Sequence, residues 1–161
     1  MIKKLNLLFL TLLNIGKIKY APGTFASLIT CLLFLLLINL LNITILFFFT
    51  LIIFLYSFVA INTSFESFDS NDPQEIVIDE VVGQMLPLLA LPIYETLYIA
   101  PIEYYCLTAF LLFRLFDIWK PFPINYIDNN TKGALGIMLD DILAGFYTII
   151  VITIALFFIG S

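Results

Sequence analysis

The sequence contains no histidine in 161 residues. That excludes every reaction built on an imidazole base, nucleophile or metal ligand. Cysteine is nearly absent as well. Cys31 and Cys106 each lie inside an apolar run and read as buried small hydrophobes, with no disulfide or redox pair in view. Charge is scarce: 12% of residues are Asp, Glu, Lys or Arg, against about a quarter in soluble domains. From Tyr20 to Phe65 there is none at all. Only seven residues are basic and the formal net charge is −5, so the basic surface that nucleic acid recruits is missing.

What fills the chain instead is apolar. The hydrophobic fraction is 62% and the mean hydropathy +1.09, outside the soluble range. A spanning helix needs about 20 apolar residues, so the uncharged stretch holds two spans and Ile142–Ser161 supplies another. Residues 1–161 are expected to form one membrane-embedded domain. Its fold class is all-α: an integral membrane helical bundle of about five membrane-spanning helices with an N-terminal amphipathic helix. Met1–Leu13 imitates a signal peptide, but no small-residue cleavage pattern follows and Lys17 and Lys19 come soon after. It reads as a retained helix on the membrane surface.

Hydrophobic lengths set the expected path. A first hairpin runs Phe25–Leu41 and Ile43–Ile61, turning near Asn39–Asn42, and returns to a polar segment Asn62–Gln74 that carries Glu66, Asp69 and Asp72. Asp72-Pro73 marks a helix start. That helix carries Asp79 and Glu80 and continues through Val81–Leu91, with Pro87 as a kink point. Leu91–Pro101, with Glu95, forms a far-side loop. Ile102–Phe116 returns, Pro121–Leu139 connects, and Ile142–Ile159 leaves again. This path puts every Lys and Arg on one side, as the positive-inside rule requires, and gathers Asp79, Glu80, Arg114, Asp117, Lys120, Asp140 and Asp141 there too.

These charges are the candidate site. Arg114, Asp117 and Lys120, spaced by three, share one helix face. A charge at membrane depth costs roughly 2.5–3.5 kcal/mol on insertion scales, so snorkelling to the headgroups competes with function chiefly for Lys120 at the boundary. Asp140-Asp141 precede the last span, after a Gly133-Ala134-Leu135-Gly136 loop. One Asp would suffice as a helix cap; two side by side suit a hard cation such as Mg²⁺. Asp79-Glu80 form a second pair, which capping explains less well if the helix starts near Pro73. Pro22-Gly23-Thr24 is either a turn and cap or a loop beside the phosphate. Acid clusters with Arg and Lys, and no histidine, favour metal-assisted phosphoryl chemistry on an anionic lipid headgroup. Arg114 grips the phosphate. A carboxylate serves as general base or as nucleophile.

Four segments carry a resemblance: Ala21-Pro22-Gly23-Thr24-Phe25, Ile78-Asp79-Glu80-Val81-Val82-Gly83, Phe113-Arg114-Leu115-Phe116-Asp117-Ile118-Trp119-Lys120-Pro121 and Gly136-Ile137-Met138-Leu139-Asp140-Asp141-Ile142-Leu143-Ala144-Gly145. In this order they resemble the phosphatidylglycerophosphatase A family, across about Gly16 to Gly145. The resemblance implies a Mg²⁺-dependent membrane phosphatase. Such an enzyme converts phosphatidylglycerophosphate to phosphatidylglycerol and phosphate in a bacterial-type cytoplasmic membrane, multi-pass, with its site facing the cytoplasm. Under it, Asp79, Glu80, Asp117 and Asp141 are catalytic, and Asp79, Glu80, Asp140 and Asp141 hold the metal. Arg114, Lys120 and Thr24 bind phosphate, and the partners are the bilayer and the phospholipid substrate. The chain departs from the family pattern at Thr131-Lys132-Gly133-Ala134, where His-Gly-Gly is common, and at Ala26. The rival readings are a small ion or solute carrier, a non-enzymatic scaffold, and a phosphatase for a different phosphorylated lipid. A carrier would place its charges near the bilayer midplane, whereas here they fall at the ends of spans.

Overall fold

The computed structural model describes residues 2–65, 68, 73–92 and 101–160. Glu66, Asp69, Asp72 and Glu95 of the expected loops lie outside the described residues. Among the described residues there are seven α-helices and no strand: α1 (Ile2–Leu10), α2 (Pro22–Leu37), α3 (Ile43–Ser64), α4 (Ile78–Leu89), α5 (Ile102–Trp119), α6 (Ile124–Asn130) and α7 (Gly133–Gly160). The expected first hairpin is present as α2 and α3. Proline opens α2, where its missing N–H costs nothing. The Asn42 side chain caps α3 by accepting from the Thr44 N–H at 2.7 Å.

Of the expected spans, about five, two are clear among the described residues. Two helices, Ile43–Ser64 and Gly133–Phe158 within α7, are long and apolar enough to cross a membrane. By contrast α2 has 16 residues, α4 has 12, and the 18 residues of α5 include Glu103, Arg114 and Asp117. Much of α3 turns outward, exposing Phe47, Phe48, Ile52 and Leu55. So large an apolar surface on a water-soluble chain would drive association; here it suits lipid.

Packing centres on α4, which lies against α7, α2 and α3. Small residues let it approach α7 closely, as in membrane bundles. A Cβ on Gly83 would lie 2.7 Å from the Asp141 carbonyl oxygen, and one on Gly145 would lie 2.5 Å from the Gly83 carbonyl oxygen. Pro87 lacks the N–H that would otherwise bond that Gly83 carbonyl. Its own carbonyl accepts the Tyr105 hydroxyl. Ile78 and Val82 point into a core with Leu10, Ile61 and Met138.

The N-terminal helix α1 is docked on the bundle. Its buried Asn6 donates to Thr63 Oγ1 and accepts from the Tyr56 hydroxyl, both at 2.7 Å. The Leu10 carbonyl accepts the Val77 N–H at 3.0 Å, tying α1 to the entry of α4.

Three boundaries differ from the sequence reading. The helix expected from Pro73 begins at Ile78, and Pro73 opens a turn closed by Ile76 N–H to its carbonyl at 2.9 Å. The Gly133–Gly136 stretch is the first turn of α7, with Gly133 at φ +71°. Residues 124–130, expected as connection, form α6.

Candidate active site

The first turns of α2 and α4, the N-terminal part of α7 as far as Asp141, the end of α5, and α6 converge on a cavity of about 550 Å³. Asp79, Glu80, Arg114, Asp117, Lys120, Asp140 and Asp141 all line it. From α2 the wall takes Ala21, Pro22 and Gly23, whereas Thr24, the expected phosphate contact, is not part of it. A Cβ on Gly23 would overlap the Glu80 carboxylate and come within 3.2 Å of Arg114 Nη1. Only glycine lets the α2 backbone close over both groups.

The two acidic pairs exchange local roles relative to the sequence reading. Because α4 starts at Ile78, Asp79 and Glu80 sit in its first turn, where the free N–H groups and helix dipole favour negative charge. Because α7 starts at Gly133, Asp140 and Asp141 lie inside the helix, where capping has no part.

Asp79, Glu80 and Asp141 each present an oxygen, and the three oxygens lie within 4.8 Å of one another. Asp79 Oδ1, Glu80 Oε2 and Asp141 Oδ1 are buried with no hydrogen-bond partner. At an effective dielectric of about 20, each ionised pair at that separation or closer repels by roughly 3.5 kcal/mol or more. Three carboxylates remain together in such a place only if a cation or protons balance them. The donors are all oxygen, the set that a hard divalent cation takes.

Asp140 stands apart from this trio. Its Oδ2 accepts from Lys120 Nζ at 2.8 Å, while the same ammonium donates to Asp128 Oδ1 at 2.6 Å. Burial alone would lower the Lys120 pKa; the hydrogen bonds to Asp128 and Asp140 and their charges raise it above the ordinary lysine value. Lys120 caps α5 in the left-handed region at φ 46°, a conformation that disfavours side chains, and its two carboxylate contacts hold it there. Arg114 Nη1 lies 2.6 Å from Asp117 Oδ2. The contact is ionic without hydrogen-bond alignment, and Arg114 Nε and Nη1 have no acceptor.

The sequence reading left one lining residue out of the site and gave no notice of a buried polar group behind it. Asp128, on α6, carries the second half of the Lys120 clamp. Its signal was present: an acid eight residues after Lys120, the one carboxylate in the connection Pro121–Leu139. Gln84 is fully buried one turn beyond Glu80, with both amide atoms unpartnered; nothing in its apolar sequence surroundings singled it out.

Comparison with known proteins agrees with the motifs. The family model described as phosphatidylglycerophosphatase A matches residues 8–156. A Haemophilus influenzae protein named phosphatidylglycerophosphatase A is 39% identical over 137 residues, covering 85% of this chain and 80% of that one. An Escherichia coli protein of the same name is 41% identical over 75 residues, 47% of this chain and 40% of that one. A Bacteroides thetaiotaomicron protein named "Putative phosphatidylinositol-3-phosphatase" is 38% identical over 144 residues, with 88% and 87% covered. No solved structure matches.

Proposed function

The chain belongs to the phosphatidylglycerophosphatase A family, and from that premise we propose that it is a membrane lipid phosphatase that hydrolyses phosphatidylglycerophosphate to phosphatidylglycerol and phosphate. The observation that carries this reading is the trio Asp79, Glu80 and Asp141, with oxygens within 4.8 Å of one another and a buried unpartnered oxygen on each, in a charged cavity at one end of an apolar bundle. Asp79, Glu80 and Asp141 would hold Mg²⁺, and the bound ion supplies Lewis-acid polarisation of the phosphoryl group.

The chain's own residues do the rest. Arg114 offers Nε and Nη1 to the phosphoryl oxygens, with Asp117 fixing the guanidinium from one side. Lys120 is shared between Asp128 and Asp140, so that it organises the wall more than it binds phosphate. Within the trio a carboxylate takes the proton of the attacking water, or itself attacks phosphorus. On the water route the bond from phosphorus to the glycerol oxygen breaks as the water oxygen bonds phosphorus, and the proton taken by the carboxylate passes to the leaving oxygen. On the other route the leaving oxygen takes its proton from water, and a second step hydrolyses the acyl-phosphate to phosphate and the free carboxylate. We place the cavity at the cytoplasmic face of a multi-pass bundle in a bacterial-type cytoplasmic membrane. The basic residues at the cavity and near the N-terminus support that side.

A second reading, a phosphatase for phosphatidylinositol 3-phosphate, is favoured by the name of the Bacteroides relative. Purified protein offered each lipid in detergent with Mg²⁺ separates them. Phosphate release from phosphatidylglycerophosphate is expected; release from the inositol lipid alone would select the second reading, and release from neither would end both.

A further inference from the structure

Among the described residues, three basic side chains line the cavity against six carboxylates, those of Asp79, Glu80, Asp117, Asp128, Asp140 and Asp141. Two of the bases are committed. Arg114 is in contact with Asp117, and Lys120 bridges Asp128 and Asp140. The third is Lys132, exposed on the short linker between α6 and α7. Among the described residues it has no carboxylate within 4.0 Å.

We propose that Lys132 is a specificity-determining residue that receives the phosphodiester of a lipid headgroup whose phosphomonoester sits at the acid trio. This rests on the phosphatase reading above and adds the residue that receives the diester of such a headgroup. Electrostatics places the second phosphate. A group of that charge meets acid on most of the wall, Arg114 serves the monoester and Lys120 is shared between two carboxylates, so the exposed Lys132 is the base left to attract it. The cavity volume of about 550 Å³ falls within the roughly 300–1,000 Å³ of pockets that take a whole small ligand, more than a lone phosphate needs. Lysine suits the task because its compact charge rides on a flexible four-carbon stem. A Cβ added at the neighbouring Gly133 would meet open space.

The test compares wild type with Lys132→Gln, Lys132→Glu and Lys132→Arg in mixed micelles. Phosphatidylglycerophosphate is the substrate; phosphatidylglycerol, a diester without a monoester, and inorganic phosphate are the inhibitors. Lys132→Gln should raise KM about 3–10-fold at near-constant kcat, the scale of one partly exposed charge contact, and Lys132→Glu should raise it further. Inhibition by phosphatidylglycerol should weaken in parallel while inhibition by inorganic phosphate holds, and Lys132→Arg should restore most of the loss. Unchanged KM and unchanged phosphatidylglycerol inhibition in active variants would overturn the assignment of Lys132, as would equal weakening of inhibition by inorganic phosphate. No phosphate release by folded wild type would instead overturn the phosphatase reading beneath it.

Discussion

Gly145 of α7 lies against the carbonyl oxygen of Gly83 of α4, so closely that a Cβ at Gly145 would stand 2.5 Å from it. This contact sets the height of one helix against the other. Asp79 and Glu80 sit one turn before Gly83 and Asp141 one turn before Gly145, so the same contact sets the spacing of the acid trio. Gly145→Ala should therefore push α4 and α7 apart. We expect a stability loss of about 1–3 kcal/mol, the usual cost of overpacking, with a larger fall in kcat than in apparent substrate affinity. Thermal unfolding in detergent, run beside the activity assay, checks both.

Gly23→Ala tests the close approach of α2 to the site. The added methyl would overlap the Glu80 carboxylate and crowd Arg114 Nη1. Catalytic efficiency, kcat/KM, should fall by about 10-fold or more (about 1.4 kcal/mol per tenfold). Unfolding should stay nearly native, since the carboxylate can swing where backbone cannot. Wild-type efficiency in this variant would show that Glu80 can move without loss.

Lys120 holds Asp128 and Asp140 together at 2.6 and 2.8 Å. Lys120→Met leaves the two carboxylates facing each other. The cost should be on the order of 1–2 kcal/mol, less than for a fully buried pair because the lysine side chain is 27% exposed. Asp128→Asn, which keeps an acceptor for the ammonium, should cost less. Denaturation of both variants in one detergent tests the order.

The raised pKa of Lys120 gives that clamp a defined pH window. A base whose folded pKa exceeds its unfolded value contributes its full stabilisation below the unfolded value, about 10.4 for lysine, and loses it as pH rises through the folded one. The stability gap between wild type and Lys120→Met should hold steady from about pH 7.5 to 9.5 and shrink above about 10.4. A gap that closed within the lower window would mean that the ammonium is not held by these acids.

How much of this was legible in the sequence follows from the cost of charge in lipid. In a chain this apolar, Arg114, Asp117, Lys120 and the two acidic pairs stand out because each must offset its own desolvation, and all seven charged candidates line one cavity. Helix starts were harder to read. Pro73 carries a start signal but opens a turn, since Ile78 and Val82 are the residues that reach the core. Gly133 and Gly136 look like breakers, yet Gly136, inside α7, packs against the Thr131 carbonyl. The helix α6 has only seven residues rich in asparagine, too few for apolar periodicity to show. Thr24 was drawn in by its neighbours, whereas the residue that closes on Glu80 is Gly23. Asp128 was visible as a charge, but its pairing with Lys120 exists only once α6 folds back.

The most direct test of the central claim is phosphate release from phosphatidylglycerophosphate by wild type and by Asp141→Asn, each titrated with Mg²⁺ and then with chelator. Should the trio Asp79, Glu80 and Asp141 form the catalytic metal centre, wild-type release rises with Mg²⁺ and stops with chelator, while folded Asp141→Asn loses at least about 100-fold in rate (about 2.7 kcal/mol). Release that survives chelation, or an Asp141→Asn variant with wild-type rate and Mg²⁺ response, would contradict it.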